Sequence, residues 1–317
     1  MAEDVADPAV GAGSATHSGL VVVGGGPAGV AAALMAASVG TRVTLIEAAE
    51  RVGGKPWHID ALENVPGGWR TGPALAGAMA QDIARLTATG RCMAVRGRAV
   101  RVTAPHGAER ARVTLDDGRA YTGDAVVVAT GVESLEATDV AWVDVPDGMT
   151  VPQLWRTGPR LTHALVLGAD RPLGTWLRAH PEADARLEVL YPPADAYKTA
   201  ELAGDPRVQL HEVREVRVVP VSGGGGAPGH EVRAHLADGT TGTFAPHQLL
   251  VNAGSRPAAP EGSLHRDAHG YCPPDAQPPG LHTAGDLRSP RHQRITTAHG
   301  SGAAAALTAH YPPPSGP

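Results

Sequence analysis

Cysteine is nearly missing from this chain of 317 residues: it has Cys92 and Cys272 and no Cys-x-x-Cys. With no export signal in view, both thiols are expected to be reduced, in a cytoplasm. Lysine is as scarce, with Lys55 and Lys198 alone among abundant Arg, Ala, Gly and Pro, a bias that reads as a GC-rich genome. No apolar run reaches membrane length, because Gly, Arg or Thr breaks each of the longest, so no membrane partner is expected. Charge of one sign does not dominate either. Acids (32) and Lys plus Arg (27) are interspersed and the net charge is −5, which argues against nucleic acid as a partner. Residues 1–17 are acidic and rich in small residues, without the basic-then-apolar order of a signal peptide; they are read as a disordered tail, and 312–317 as a second tail. His230, His235, His247, His265 and His269 have no metal-ligand spacing, and no metal is expected.

What is present begins at Leu20. LVVVGGGPAGVAAALMAASVGTRVTLIEAAE reads as an apolar strand at Leu20–Val23, a glycine turn, an Ala-rich helix to Val39 stopped by Gly40, and a strand at Arg42–Ile46 ending at Glu47. Gly24, Gly26 and Gly29 fit G-x-G-x-x-G. The first permits a tight turn, the second lets backbone approach a pyrophosphate, and the third lets helix and strand pack closely. The helix N-terminus supplies N–H groups and partial positive charge. Glu47, about 20 residues on, suits hydrogen bonds from ribose hydroxyls. The strand, helix, strand and acid in order are what give the motif its weight.

The pattern then occurs a second time. A β-rich stretch at Ala94–Tyr121, with an Asp116–Gly118 turn, closes on AVVVATG at 125–131. A second strand-to-turn sequence, ALVLGADRPLG at 164–174, leads to another β-rich stretch at Val213–Phe244, with a GGGG loop and an ADG turn, closing on LLVNAG at 249–254. Two similar Rossmann-like α/β domains are expected, each of three layers, the second inserted into the first. The first would hold 18–132 and 248–311, the second 133–247. The last part of the first, GLHTAGDLRSPRHQRITTAHGSGAAAALTAHY, reads as a short strand, Gly285-Asp286, a basic loop and a helix from about Thr296 through Ala309, with Thr296, Thr297 or Ser301 serving its first turn. An Asp at a strand end beside a helix N-terminus suits a polyol or a polar ring edge.

The glycine turn with Glu47, GGKPWHIDALENVPGG at 53–68, VVVATG, and TAGD with HGSGAAAA stand in one order and spacing. Together they make the chain resemble the thioredoxin-reductase-like branch of the FAD-dependent pyridine-nucleotide disulfide oxidoreductases, from residue 18 to 311. The resemblance implies that the first domain binds FAD. Gly24, Gly26 and Gly29 would hold the pyrophosphate, with Pro27 and Ala28 in the same turn, and Glu47 the adenosine ribose. Gly54, Lys55 and Asn64 would lie toward the flavin, with Thr130 and Gly131 at the end of VVVATG. Asp286, after Gly285, would bind the ribitol, and the backbone at Arg294-Ile295 would face the pyrimidine edge of the ring. It also implies pairing as a homodimer.

Three departures set this chain apart from that pattern. Where the resemblance puts the redox Cys-x-x-Cys, GMTVPQLW at 148–155 carries Pro152 and Trp155, neither of which can attack a disulfide. Where it puts a second glycine for NADPH, GADRPLG at 168–174 carries Asp170, whose carboxylate would repel a pyrophosphate. Where it puts a basic pair for a 2′-phosphate, LYPPADAY at 190–197 carries Pro192 and Pro193. Binding of NAD(P)H is therefore expected to be lost, the counter-reading being that Arg171 or Arg178 holds a nicotinamide nucleotide in a shifted pose.

The chemistry then falls to residues near the ring. Lys55 and His58 are candidates for catalysis, the first as a cation that stabilises reduced flavin and the second for proton transfer. Trp57 is read as packing. His299 stands where the resemblance has Ala, with its neutral form favoured at a helix N-terminus. Trp155 is expected to fill the flavin face left by the disulfide, or to wall a site for an aromatic substrate. Three functions are carried forward. The first is a flavoenzyme acting on a small molecule directly at FAD, in specialised metabolism, with oxygen, another acceptor or an external or protein donor completing the cycle. The second is an NAD(P)H-dependent electron-transfer reductase resembling those that reduce ferredoxin. The third is a non-catalytic FAD-binding protein.

Overall fold

The computed structural model of the chain describes residues 16–158, 161–222 and 228–311. The elements run β1 (Thr16–Val23), α1 (Pro27–Ser38), β2 (Val43–Glu47), α2 (Gly72–Ala88), β3 (Cys92–Arg96), β4 (Ala99–Thr103), β5 (Ala111–Leu115), β6 (Ala120–Val128), β7 (Val132–Ser134), β8 (Val143–Asp144) and β9 (His163–Leu167). They continue with α3 (Pro172–Ala179), β10 (Arg186–Tyr191), β11 (Val208–Ser222), β12 (Pro228–Leu236), β13 (Thr241–Phe244), β14 (Gln248–Val251), β15 (Ser255–Pro257), β16 (Glu261–Gly262), β17 (Leu281–Thr283) and α4 (Ile295–His310). Two compact units emerge, one of residues 16–54, 79–131 and 259–311, the other of 55–78 and 132–258, with α2 crossing from the second into the first.

The first unit is built on a sheet in the order β16-β4-β5-β6-β1-β2-β3, with β17 also paired to β6. Strands β17, β6, β1, β2 and β3 are parallel, while β4, β5 and β6 form an antiparallel meander. Val21, Val23, Ile46, Val113, Val126, Val128 and Leu281 share one core. The run Leu20–Val23 is buried on both faces, as a parallel strand covered on both sides must be. Helix α1 ends as its Gly40 predicts. Gly40 has φ +83°, its N–H donates to Ala37 O at 3.2 Å, and the Thr41 N–H donates to Ala36 O at 3.0 Å. This left-handed cap satisfies two carbonyls that the helix leaves open.

The second unit repeats the plan. Strands β10, β9 and β14 are parallel, β10 also pairs parallel with β11, and β11, β12 and β13 form a meander. Along β9 the pleat sends Ala164 and Val166 into one core with Leu173 and Trp176, and Leu165 and Leu167 into another with Leu190 and Val251. The turns repeat too. At Leu115–Arg119 and at Leu236–Thr240 the end residues bond each other, the glycine is left-handed (φ +85° and +91°), and an Asp side chain takes an N–H two residues on. The tight Asp-Gly turns expected in both stretches are formed.

The expected boundaries shift in three places. Thr16 and His17, placed in the disordered tail, extend β1 and pair with Tyr121 and Thr122; residues 1–15, the tail 312–317 and the GGGG loop lie outside the described residues. Residues 248–258 belong with the second unit, because β14 pairs with β9 and β15 pairs with β7. Residues 55–78 do so as well, through contacts such as His180 Nε2 with Asp60 at 3.4 Å and Arg178 with Glu63 at 3.9 Å. These pairings join segments remote in sequence, which a local pattern does not report.

Helices α1 and α4 of the first unit approach through Gly302, where a Cβ would lie 1.9 Å from Ala28 O. Gly300, two residues before, faces open space. Gly302→Ala should destabilise the protein by about 1–3 kcal/mol, as an overpacked core does, whereas Gly300→Ala should raise stability by roughly 0.5–1 kcal/mol through helix propensity. Thermal unfolding of the two variants checks the opposite signs.

Candidate functional site

The first unit's site is built where β1 turns into α1. Gly24 has φ +102°, and a Cβ there would sit 2.5 Å from Ala129 O at the end of β6. Only glycine fits so close an approach at that φ. At Gly29 a Cβ would lie 1.7 Å from Gly24 O, so the first turn of α1 rests directly on the turn before it. Between them Gly26 is the N-cap, extended at φ −76° and ψ −173°, with no side-chain cap, and a Cβ there would meet nothing within 4 Å. Pro27 opens the helix, where its missing N–H costs nothing. The result is a helix N-terminus whose amides are left for an anion, with open space in front.

Glu47 closes one side. Its carboxylate takes the Gly25 N–H at 2.5 Å and the Ala49 N–H at 2.7 Å, which fixes its direction while leaving acceptor capacity on both oxygens. Gly54 (φ +62°) lies over the same turn: a Cβ there would be 2.9 Å from Gly26 Cα, and Gly53 N–H donates to Gly25 O at 2.8 Å. At the end of β6, Thr130 Oγ1 is buried with no hydrogen-bond partner, and Gly131 follows in the left-handed region at φ +66°. Gly285 (φ +70°) comes against Ala28, and its N–H donates to Ser301 Oγ at 2.9 Å. Asp286 follows, with Gln293 Nε2 bonded to its backbone oxygen at 3.3 Å and to Ser289 O at 3.0 Å. Thr297 caps α4 by accepting the Arg294 N–H at 3.2 Å, so Ile295 opens the helix one residue before the expected start. Ser301 Oγ accepts the Gly285 N–H and itself donates to Ala298 O of α4 at 2.9 Å. Sequence reading passed over Gln293, which carries no motif and acts by spanning a loop.

His299 also belongs to this unit. Burial pushes its imidazole below the usual range, so neutrality comes from desolvation. Its Nε2 lies 3.5 Å from Met79 Sδ. A thioether sulfur only accepts, so this contact assigns the proton to Nε2 and leaves Nδ1 as the basic nitrogen.

Lys55, Trp57, His58 and Asn64 group with the second unit, not with the first as expected, since Lys55–His58 form a short 3-10 turn there. Lys55, His58 and Asn64 are exposed. The His58 ring packs on Trp155 at 4.6 Å between centroids, Arg156 lies over the same indole at 4.7 Å, and Trp155 Nε1 donates to Ser134 Oγ at 3.0 Å. Trp155 therefore has its partners within its own unit.

The second unit repeats the turn with different residues. Gly168 has φ +104°, and a Cβ there would lie 2.4 Å from Asn252 O, beyond the end of β14. Asp170 then stands two places on and the fully buried Leu173 five places on, where the first turn has Gly26 and Gly29. Asp170 exchanges backbone bonds with Asn252: its N–H donates to Asn252 O at 3.2 Å, and Asn252 Nδ2 donates to its oxygen at 2.7 Å. Its carboxylate lies 3.7 Å from Lys198 Nζ, which bonds Asp195 at 3.0 Å. Arg178 is engaged by Glu63 and by Glu201 at 3.8 Å. Lys198 was passed over in the sequence, although one of two lysines in an arginine-rich chain is a usable signal.

The pyridine nucleotide-disulphide oxidoreductase family model matches residues 18–164. Over the whole chain the fold is that of the thioredoxin reductases. The enzyme from Lactococcus lactis aligns at a TM-score of 0.72 and 20% identity, covering 92% of this chain and 98% of its own. The T. acidophilum enzyme aligns at 0.70 and 19%, covering 93% and 98%. The Streptococcus pyogenes enzyme aligns at 0.58 and 21%, covering 94% and 98%. No curated protein matches the sequence. Among the described residues no helix is long and apolar enough to cross a membrane, and no cluster of three His, Cys, Asp or Glu is placed to hold a metal.

A dinucleotide of the FAD type fits the first unit on its own geometry. The open N-cap at Gly26, the uncapped amides of α1, the oriented Glu47 and the unpartnered Thr130 hydroxyl are the groups a pyrophosphate and a ribose need. Gly26→Val puts a side chain into the open space before the helix, its Cβ meeting nothing within 4 Å. It should weaken FAD retention by at least roughly tenfold, about 1.4 kcal/mol, read from the flavin absorbance of purified protein that still folds, with a melting temperature lowered only by the small cost of losing the N-cap glycine.

Proposed function

We propose that the protein is an FAD-dependent oxidoreductase that oxidises or reduces a small molecule directly at the flavin, without a disulfide relay. The observation that carries this reading is the state of its cysteines. Cys92 and Cys272 are both buried in the first unit, neither in a disulfide, and burial raises both thiols above the usual range. A relay needs an accessible thiolate, and these are buried thiols held in their neutral form. The positions where the resemblance puts the redox pair hold Pro152, whose carbonyl accepts the Val251 N–H, and Trp155, fixed to Ser134.

When bound, FAD supplies the two-electron chemistry. The chain's own residues do the rest. The turn at Gly24–Gly29, Glu47, Gly285 and Asp286 would hold the dinucleotide. His299, neutral at physiological pH, offers Nδ1 as a proton acceptor. The second unit supports a donor other than NAD(P)H, because Asp170 and the Pro192-Pro193 pair stand where phosphate-binding groups are required.

The test is anaerobic. NADPH and NADH should leave the oxidised flavin band unchanged, dithionite should bleach it, and coupled thioredoxin should show no disulfide turnover. Rapid bleaching by either nucleotide would replace this reading with the NAD(P)H-dependent reductase, and disulfide turnover would restore the relay.

A further inference from the structure

The chain contains its own control for what a dinucleotide turn looks like with and without a ligand site. Up to Gly168 the second turn matches the first, with φ +104° against +102° and the same close approach to a neighbouring strand-end carbonyl. In the first turn the N-cap faces open space. In the second, Asp170 stands at the matching position and Arg171 is the N-cap of α3. Asp170 is anchored through its backbone to Asn252, and its carboxylate meets the ammonium of Lys198. Lys198 arrives from the 3-10 segment Pro193–Glu201 that follows β10, and its Nζ also lies 3.8 Å from where a Gly254 Cβ would be, past the end of β14. The ammonium is thus bracketed by the segments that leave β9 and β14. Parallel α/β sheets take their ligands in the crevice outside such strand ends, at the point where the strand order reverses, and β9 lies between β10 and β14.

We propose that Asp170, ion-paired with Lys198 beside Asp195, occupies the second unit's ligand crevice and makes it refuse nucleotide phosphates. The inference deepens the function proposed above and rests on its reading that electrons do not come from NAD(P)H. The side chains of Lys198, Asp195 and Asp170 are only 17%, 19% and 27% exposed, so the cluster is poorly screened. Burial opposes the charge on Lys198, but the Asp195 hydrogen bond and the charges of Asp170 and Asp195 outweigh it and hold the pKa above the usual range. Two carboxylates around one ammonium leave a net charge of −1, which repels a pyrophosphate. Without the Asp170 carboxylate, the same ammonium has donors to give a phosphate oxygen.

Isothermal titration of the full-length flavoprotein with NADPH, NADH and inorganic pyrophosphate tests this. Asp170→Gly should bind NADPH or NADH at least about tenfold more tightly than the unmodified protein. Asp170→Asn, which keeps the size and removes the charge, should change in the same direction and covers the case of Asp170→Gly failing to fold. Adding Lys198→Met to either variant should abolish the gain. A nucleotide affinity unchanged in both Asp170 variants, or a gain that survives Lys198→Met, would overturn the proposal. Either result with an unmodified protein that ignores NADPH leaves the proposed function standing. Tight NADPH binding with flavin bleaching in the unmodified protein overturns both.

Discussion

The first unit depends on one close contact, the first turn of α1 resting on the carbonyl of Gly24 at Gly29. No side chain fits there, since a Cβ would be 1.7 Å from that oxygen. With the helix brought this near, its N-terminal amides open at the end of β1, and the parallel sheet around β1 holds them still. Gly302 carries the same economy to α4, whose backbone comes down on Ala28. Gly285, whose N–H is held by Ser301, meets that first turn from another segment. Three glycines therefore set how closely two helices and a turn converge, and the fields of their backbone dipoles converge with them.

The second unit builds the same turn with different residues. Gly168 keeps the strained turn and its contact with the strand beyond, so the sheet and the connection to α3 survive. Asp170 stands where the first turn has Gly26, Arg171 is the N-cap of α3, and Leu173 replaces the close-packing glycine. The fold tolerates both, because Leu173 finds a core with Ala164, Val166 and Trp176, and Asp170 finds Lys198. Stability and ligand binding are separable at this turn.

The cysteines follow a similar logic. Thioredoxin-reductase-like architecture is compatible with more than one chemistry, since the fold positions a flavin whatever then exchanges electrons with it. Burying both thiols within the first unit makes them packing residues, and burial itself withholds the thiolate that exchange chemistry needs.

Much of this was determined by the sequence alone. Strand, glycine turn, helix and acid at Leu20–Glu47 are local patterns with local causes, as is their repetition at 164–174, and the lack of a Cys-x-x-Cys is read directly from the sequence. The tertiary structure decided what depends on segments far apart in the chain: that 55–78 joins the second unit, that Trp155 is held by His58, Arg156 and Ser134, that Gln293 ties the loop at Asp286, and that Lys198 meets Asp170. Local propensity and spacing report the backbone that a short stretch prefers. Which side chains then meet is set by the order of strands in a sheet, and that order is fixed only when remote hydrophobic faces find each other.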